Sequence, residues 1–189
     1  MFVALKYGRA GMFVFLGRVI NQLVQGYIKP VRVVKNRSGR ISWDTPFRCW
    51  PLDMDIFMHM NNAMYLRVAE LARWRIFPKA LASSKKSSKD ILFLVVESRV
   101  QYIRPVNALQ PFVINTALSS SDDKWLHYKH VLQAAPASES QDPVVFAVVD
   151  CKAVLKEKSG KTFRISELKQ DSEFYSMLLE NDNIGAKEA

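Results

Sequence analysis

The chain has 189 residues, 49% of them hydrophobic, which suits one compact domain plus an appendage. Its two cysteines, Cys49 and Cys151, are too few for a disulfide scaffold or a zinc site and read as buried free thiols. The net charge is +9, but eight of the 27 basic residues and none of the 18 acidic ones lie in residues 1–43. The rest is close to neutral, which gives a nucleic-acid partner little electrostatic support.

The chain divides into a basic arm (1–43), a body (44–170) and a tail (171–189). In the arm, Met12, Leu16, Val19, Ile20, Leu23, Val24 and Tyr27 recur at spacings of three and four, which defines one face of a helix over 12–28. Arg18, Asn21, Gln22, Gln25 and Lys29 mark the opposite face, and Pro30 ends the helix. The longest apolar run, Ala10 to Leu16, is too short to span a bilayer. An acid-free amphipathic arm fits an interfacial membrane anchor through residues 1–29 or a mitochondrial targeting segment, with the endoplasmic reticulum as a further membrane address. Packing on the body or on a second copy is the plainer alternative. Val31 to Arg40 reads as a basic linker or short strand.

Thr45 to Leu52 reads as the first strand of the body. Asn61 and Asn62 then offer caps for a helix, because an amide oxygen accepts from a free backbone N–H two or three residues on. Ala63, Leu66, Val68, Ala69, Leu71, Ala72, Ile76 and Phe77 cover most of its circumference, interrupted by Arg67, Glu70, Arg73 and Arg75. A helix apolar nearly all round is a buried one, and Pro78 marks its end. Ser83 to Lys89 is a polar loop whose lysines are either a solvated turn or a landing place for phosphates. Ile91 to Val96 is continuously apolar, as in a strand buried on both faces. Arg104 to Asn107 reads as a turn. Phe112 to Leu118 and Trp125 to Leu132 read as a hairpin closed at Ser119 to Asp123, and Val144 to Val154 as a last long strand. Ala134 to Pro143 is a loop, Lys156 to Lys161 a charged turn centred on Gly160, and Glu173 to Leu179 a short terminal helix. The order predicts an α+β domain, one long buried helix wrapped by an antiparallel sheet of about five strands.

Leu52-Asp53-Met54-Asp55, His59-Met60-Asn61-Asn62-Ala63, Tyr65-Leu66, Glu70 and Ala72-Arg73 form a dense constellation, with Tyr102-Ile103-Arg104-Pro105-Val106 downstream. It resembles the hotdog-fold acyl thioesterases, including the thioesterase superfamily member 6 branch and bacterial long-chain acyl-CoA thioesterases. The likeness runs from about residue 46 to 155. It implies the hotdog fold, hydrolysis of an acyl-CoA thioester and dimers joined sheet edge to sheet edge; no cofactor is expected, and with no second His or Cys near His59 a metal role has little support.

Thioester hydrolysis needs a base or nucleophile and a place for the oxyanion. A carboxylate serves as either, and backbone amides at a helix N-terminus hold the oxyanion. The resemblance places the reacting carboxylate at Asp55; capping of the loop is its structural alternative. Asp53 reads as a turn-stabilising residue. His59 has three readings: bonding Asp55, holding the loop, or moving a proton, with loop support foremost. Asn62 joins the catalytic set through its backbone N–H. Glu70 is a second candidate carboxylate, with pairing to Arg67 or Arg73 as the plain reading. Met58, Asn61, Ala63 and Tyr65 are the expected substrate contacts. Met54, Met58, Met60 and Met64 bring adaptable apolar surface to the loop, divided between core and acyl pocket. Phe57 stands where the plant acyl-carrier-protein thioesterases have an asparagine, so a plant-type mechanism lacks one polar participant. A non-catalytic acyl-binding protein at a membrane is the competing reading.

Overall fold

The computed structural model describes residues 2–29, 32–35, 41–82, 91–120, 123–135, 143–162, 164 and 166. The 83–89 loop and the 173–179 helix expected from the sequence lie outside these residues. Two helices and six strands run in the order α1 (Phe2–Ile28), β1 (Arg32–Lys35), β2 (Ile41–Arg48), α2 (Asn62–Ala82), β3 (Ile91–Tyr102), β4 (Pro111–Ser120), β5 (Trp125–Gln133) and β6 (Val145–Glu157).

The strands form one antiparallel sheet in the order β1-β2-β4-β5-β6-β3. The expected sheet of about five strands is extended by a short sixth, β1. Arg32–Lys35 joins it beside β2, and the boundary drawn at residue 43 falls within β2. Alternation decides which side of each strand meets α2. In β5, Leu126, Tyr128, His130 and Leu132 are buried while the residues between them are not. Ile114, Thr116 and Leu118 of β4 and Val149, Cys151 and Ala153 of β6 complete that face. Helix α2 answers with Val68, Ala72 and Ile76. The fully buried Ala69 and Ala72 let its backbone come close to the sheet, and Trp43 of β2 donates through Nε1 to the Ala72 carbonyl.

Three expectations are corrected. First, α2 runs past Pro78 to Ala82; the proline has no N–H to give, and the helix continues without that bond. Second, α2 is not buried all round, since Asn62, Ala63, Leu66 and Arg67 are exposed near its start. Third, Ile91–Val96 is not enclosed. Among the described residues β3 is a sheet edge paired with β6 alone, and Leu92, Leu94, Val95 and Val96 are exposed. The two cysteines are free and buried; burial, with Asp53 nearby, pushes the Cys49 thiol up.

Helix α1 packs against α2 through a mixed face on which Phe15, Val19 and Leu23 lie beside Arg18 and Gln22. Arg18 pairs with Asp53, Gln22 is buried and accepts from Arg75, and Arg67 lies over the Phe15 ring. Phe13, Leu16, Ile20, Val24, Tyr27 and Ile28 are exposed on the other side. Of the expected polar face, Arg18 and Gln22 turn inward and Asn21 and Lys29 are exposed, while Val19 and Leu23 of the expected apolar face are partly covered.

Candidate active site

The stretch between β2 and α2 is a short loop tied at several points. After Trp50 the chain makes a single helical turn, Pro51–Asp53, which the Asp53 carboxylate stabilises by accepting from the Trp50 N–H at 3.0 Å. Met54 and Met60 form an antiparallel bridge, and the Asp55 N–H donates to the His59 carbonyl at 2.9 Å, so residues 55–59 close as a hairpin. Met58 adopts φ +61° at its tip, a conformation uncommon for a side chain of that size. The Met60 N–H donates to the Val106 carbonyl and His59 bridges Asn107, which fixes the hairpin to the segment after β3.

Asp55 is half-buried at the hairpin's start. Its Oδ1 accepts from the Phe57 N–H at 2.9 Å, a local turn in which the side chain mimics a backbone acceptor. Its Oδ2 has no partner among the described residues. The loop-capping role weighed from the sequence is therefore real, and it occupies one carboxylate oxygen of two. His59 supports the loop through its backbone, as bridge and acceptor.

At the other end of the hairpin, Asn61 is the N-cap: its Oδ1 accepts from the Ala63 N–H at 2.9 Å and its carbonyl from the Met64 N–H at 2.8 Å. Asn62 is the first helical residue rather than a cap, and its N–H has no partner among the described residues. That donor stands at the positive end of the α2 dipole. The Asn62 carbonyl accepts from the Tyr102 hydroxyl at 3.2 Å, which brings the end of β3 to the helix N-terminus.

The expected substrate contacts separate. Met58, Asn61 and Ala63 are exposed. Tyr65 is core: it is buried, packs edge-on to Tyr102 at 5.0 Å, and its phenol is pushed up by burial, with a hydrogen bond at Val106 opposing and Asp55 among the groups adding to the rise. Of the four methionines, Met60 and Met64 are core, Met54 packs against it, and Met58 faces outward. Ile56 and Phe57 beside it are 89% and 71% exposed, so the hairpin presents an apolar tip.

Glu70 accepts from Trp74 Nε1 at 3.3 Å rather than pairing with Arg67 or Arg73. Arg73 instead enters the core, within 3.1 Å of His130 Nε2 and 3.3 Å of Cys151 Sγ. A guanidinium only donates, so Nε2 accepts, and Nδ1 carries the proton toward Thr116 Oγ1 at 2.9 Å. Burial, with Arg73 beside it, holds the His130 ring well below its usual pKa. Sequence reasoning missed this cluster; the period-two burial of β5 was the one signal that His130 points inward. Among the described residues no three His, Cys, Asp or Glu side chains gather as metal ligands.

One helix against an antiparallel sheet, with a carboxylate hairpin leading into the helix N-terminus, defines a hotdog fold, and the chain belongs to the thioesterase-like superfamily, whose sequence profile matches residues 49–173. Among its relatives are Protein THEM6 of Drosophila melanogaster, 37% identical over 82 residues (42% of this chain and 42% of that protein), and Protein THEM6 of Xenopus laevis, 32% identical over 74 residues (39% and 36%). The long-chain acyl-CoA thioesterase FadM of Escherichia coli is 26% identical over 101 residues, covering 52% of this chain and 76% of FadM. The matched stretches thus span about two fifths of the THEM6 proteins and three quarters of FadM. Among solved structures, the probable thioesterase YbaW of Escherichia coli superposes with a TM-score of 0.53 at 24% identity, over 73% of this chain and 96% of its own. A thioesterase superfamily structure from Jannaschia gives 0.59 at 16% identity, over 74% and 83%.

Proposed function

We propose that this chain hydrolyses fatty acyl-CoA thioesters, with Asp55 as the reacting carboxylate and the Asn62 N–H as the oxyanion donor. The observation that carries the reading is the state of the two groups at the ends of one hairpin. Asp55 has one oxygen fixed by the Phe57 N–H and the other unengaged, and the first amide of α2 is unpaired. In the base route, Asp55 takes a proton from water as its oxygen attacks the thioester carbonyl; the oxyanion rests on the Asn62 N–H, and its collapse expels the CoA sulfur, which receives the proton from Asp55. In the nucleophilic route, Asp55 attacks directly, CoA leaves as the thiol after taking a proton from water, and the mixed anhydride is then hydrolysed. The apolar tip at Ile56, Phe57 and Met58 suits an acyl chain, and the likeness to the long-chain acyl-CoA thioesterase FadM supports CoA as carrier.

Asp55→Asn is the discriminating variant, because the amide oxygen still accepts from the Phe57 N–H and preserves the loop. Turnover on a series of acyl-CoA lengths is expected to fall at least ~100-fold, the usual share of a general base, with the melting temperature unchanged. Full activity in this variant sinks the assignment. Saturable acyl-CoA binding by wild-type protein with no turnover at any length establishes the non-catalytic alternative.

A second copy is proposed to pair along β3. Support comes from its 12-residue edge with exposed leucines and valines, and from Tyr102, which ties the end of that edge to the helix N-terminus. The exposed apolar stripe of α1 and the acid-free arm favour a lipid surface over a cleaved targeting segment: cleavage would strip Asp53 of its cation.

A further inference from the structure

We propose that Arg18 is a positioning residue for the site, through which the arm helix holds the reacting loop in place. This rests on the reading of Asp55 as the reacting carboxylate. Arg18 lies 35 residues before Asp53, outside the segment matched by the thioesterase-like family, yet its guanidinium grips both oxygens of that carboxylate, at 2.6 and 3.1 Å. The Asp53 side chain is 3% exposed and that of Arg18 26%, so the anion is enclosed and its cation reaches in from the arm.

Asp53 is the knot where both ends of the loop meet. Its Oδ2 also accepts from the Trp50 N–H, and its carbonyl accepts from the Asn61 N–H at 2.8 Å. Asn61 caps α2 and so sets the place of the Asn62 amide, while Asp55 follows Asp53 by two residues. The carboxylate end and the amide end of the site are thus referenced to one buried side chain, and Arg18 is the only cation paired with it among the described residues. A buried carboxylate without its partner must shift, take up a proton or draw in water. Each response moves the knot and, with it, the separation of base and oxyanion donor.

The test uses the full chain and three variants, Arg18→Gln, Arg18→Lys and Asp53→Asn, with kcat, KM, melting temperature and backbone hydrogen exchange across residues 50–61. In Arg18→Gln, kcat is expected to fall about tenfold or more, as sub-ångström misplacement does, with KM within about threefold. Exchange at Trp50 and Asn61 speeds up. Arg18→Lys restores the charge without the two-pronged grip and recovers part of kcat. If Arg18→Gln does not fold, Asp53→Asn decides: it removes the anion that Arg18 grips with both prongs while keeping an acceptor for Trp50, so the knot loses its tether to the arm, and kcat is expected to fall with faster exchange at Asn61. Wild-type kcat in folded Arg18→Gln or Asp53→Asn overturns the proposal, as does unchanged exchange at Asn61 in either. Exchange is read without substrate, so a wild-type chain that turns over no acyl-CoA defeats the enzymatic reading while the tether is still judged by exchange.

Discussion

Arg73 and His130 fix each other's chemistry. The guanidinium is held by an imidazole nitrogen and a thiol instead of a carboxylate, so the ring must stay neutral for the cluster to be satisfied. The depressed folded-state pKa has a definite sign for stability. Above about pH 6.5 both the folded and unfolded states carry a neutral ring; below it the unfolded chain takes up a proton that the folded chain refuses. Stability is therefore expected to fall by about 1 kcal/mol per pH unit as pH drops below 6.5. Denaturant unfolding at pH 7 and pH 5 measures this, and His130→Gln should flatten the difference. An equally steep loss in that variant would assign the dependence to other groups. None of this was legible from Arg73 itself. On a helical wheel it stands three residues from Glu70, and only the depth of the sheet face opposite shows that it turns inward.

At the level of elements, the period-two strands were legible because alternation directly encodes one buried face. Strands β4, β5 and β6 lie within a few residues of their expected ends. The start of α2 was equally plain, since Asn61 caps it in the expected way. Two readings failed for a shared reason: pattern tells that a surface is apolar and leaves open what covers it. The run Ile91–Val96 resembles a buried strand, yet its exposed residues lie on an edge. The arm helix shows two faces in sequence, and only the Arg18–Asp53 pair reveals that part of the polar one turns inward. If β3 is covered by a second copy, Leu94→Lys should convert a dimer to a monomer in sedimentation velocity, because an edge lysine must be desolvated to pair. A Leu94→Lys dimer as tight as wild type would place the contact elsewhere. The site was legible in part. Asp55 came from the resemblance, whereas its division into one fixed and one unengaged oxygen needed coordinates.

Across the whole molecule the layers are sheet, α2 and α1, and the outermost layer shows its apolar side to the surroundings. No helix of the described residues is long and apolar enough to cross a membrane. The lipid contact proposed for the arm would seat the exposed Phe13, Leu16, Ile20 and Val24 in the interface, with the basic residues near anionic headgroups. The triple variant Leu16→Gln, Ile20→Gln, Val24→Gln should lose at least ~tenfold in co-sedimentation with vesicles of phosphatidylcholine and phosphatidylserine, since each buried side chain contributes more than 1 kcal/mol. Unchanged vesicle binding would remove α1 as the contact. Turnover of a water-soluble short-chain thioester should persist, because none of the three residues pairs with Asp53. The outward-facing grease of α1 also has a practical side. In detergent-free buffer, concentrated protein would stick to itself through this stripe and blur any count of subunits. The glutamine-faced variant removes that stickiness while sparing the guanidinium clasp, and is the form in which true stoichiometry can be weighed.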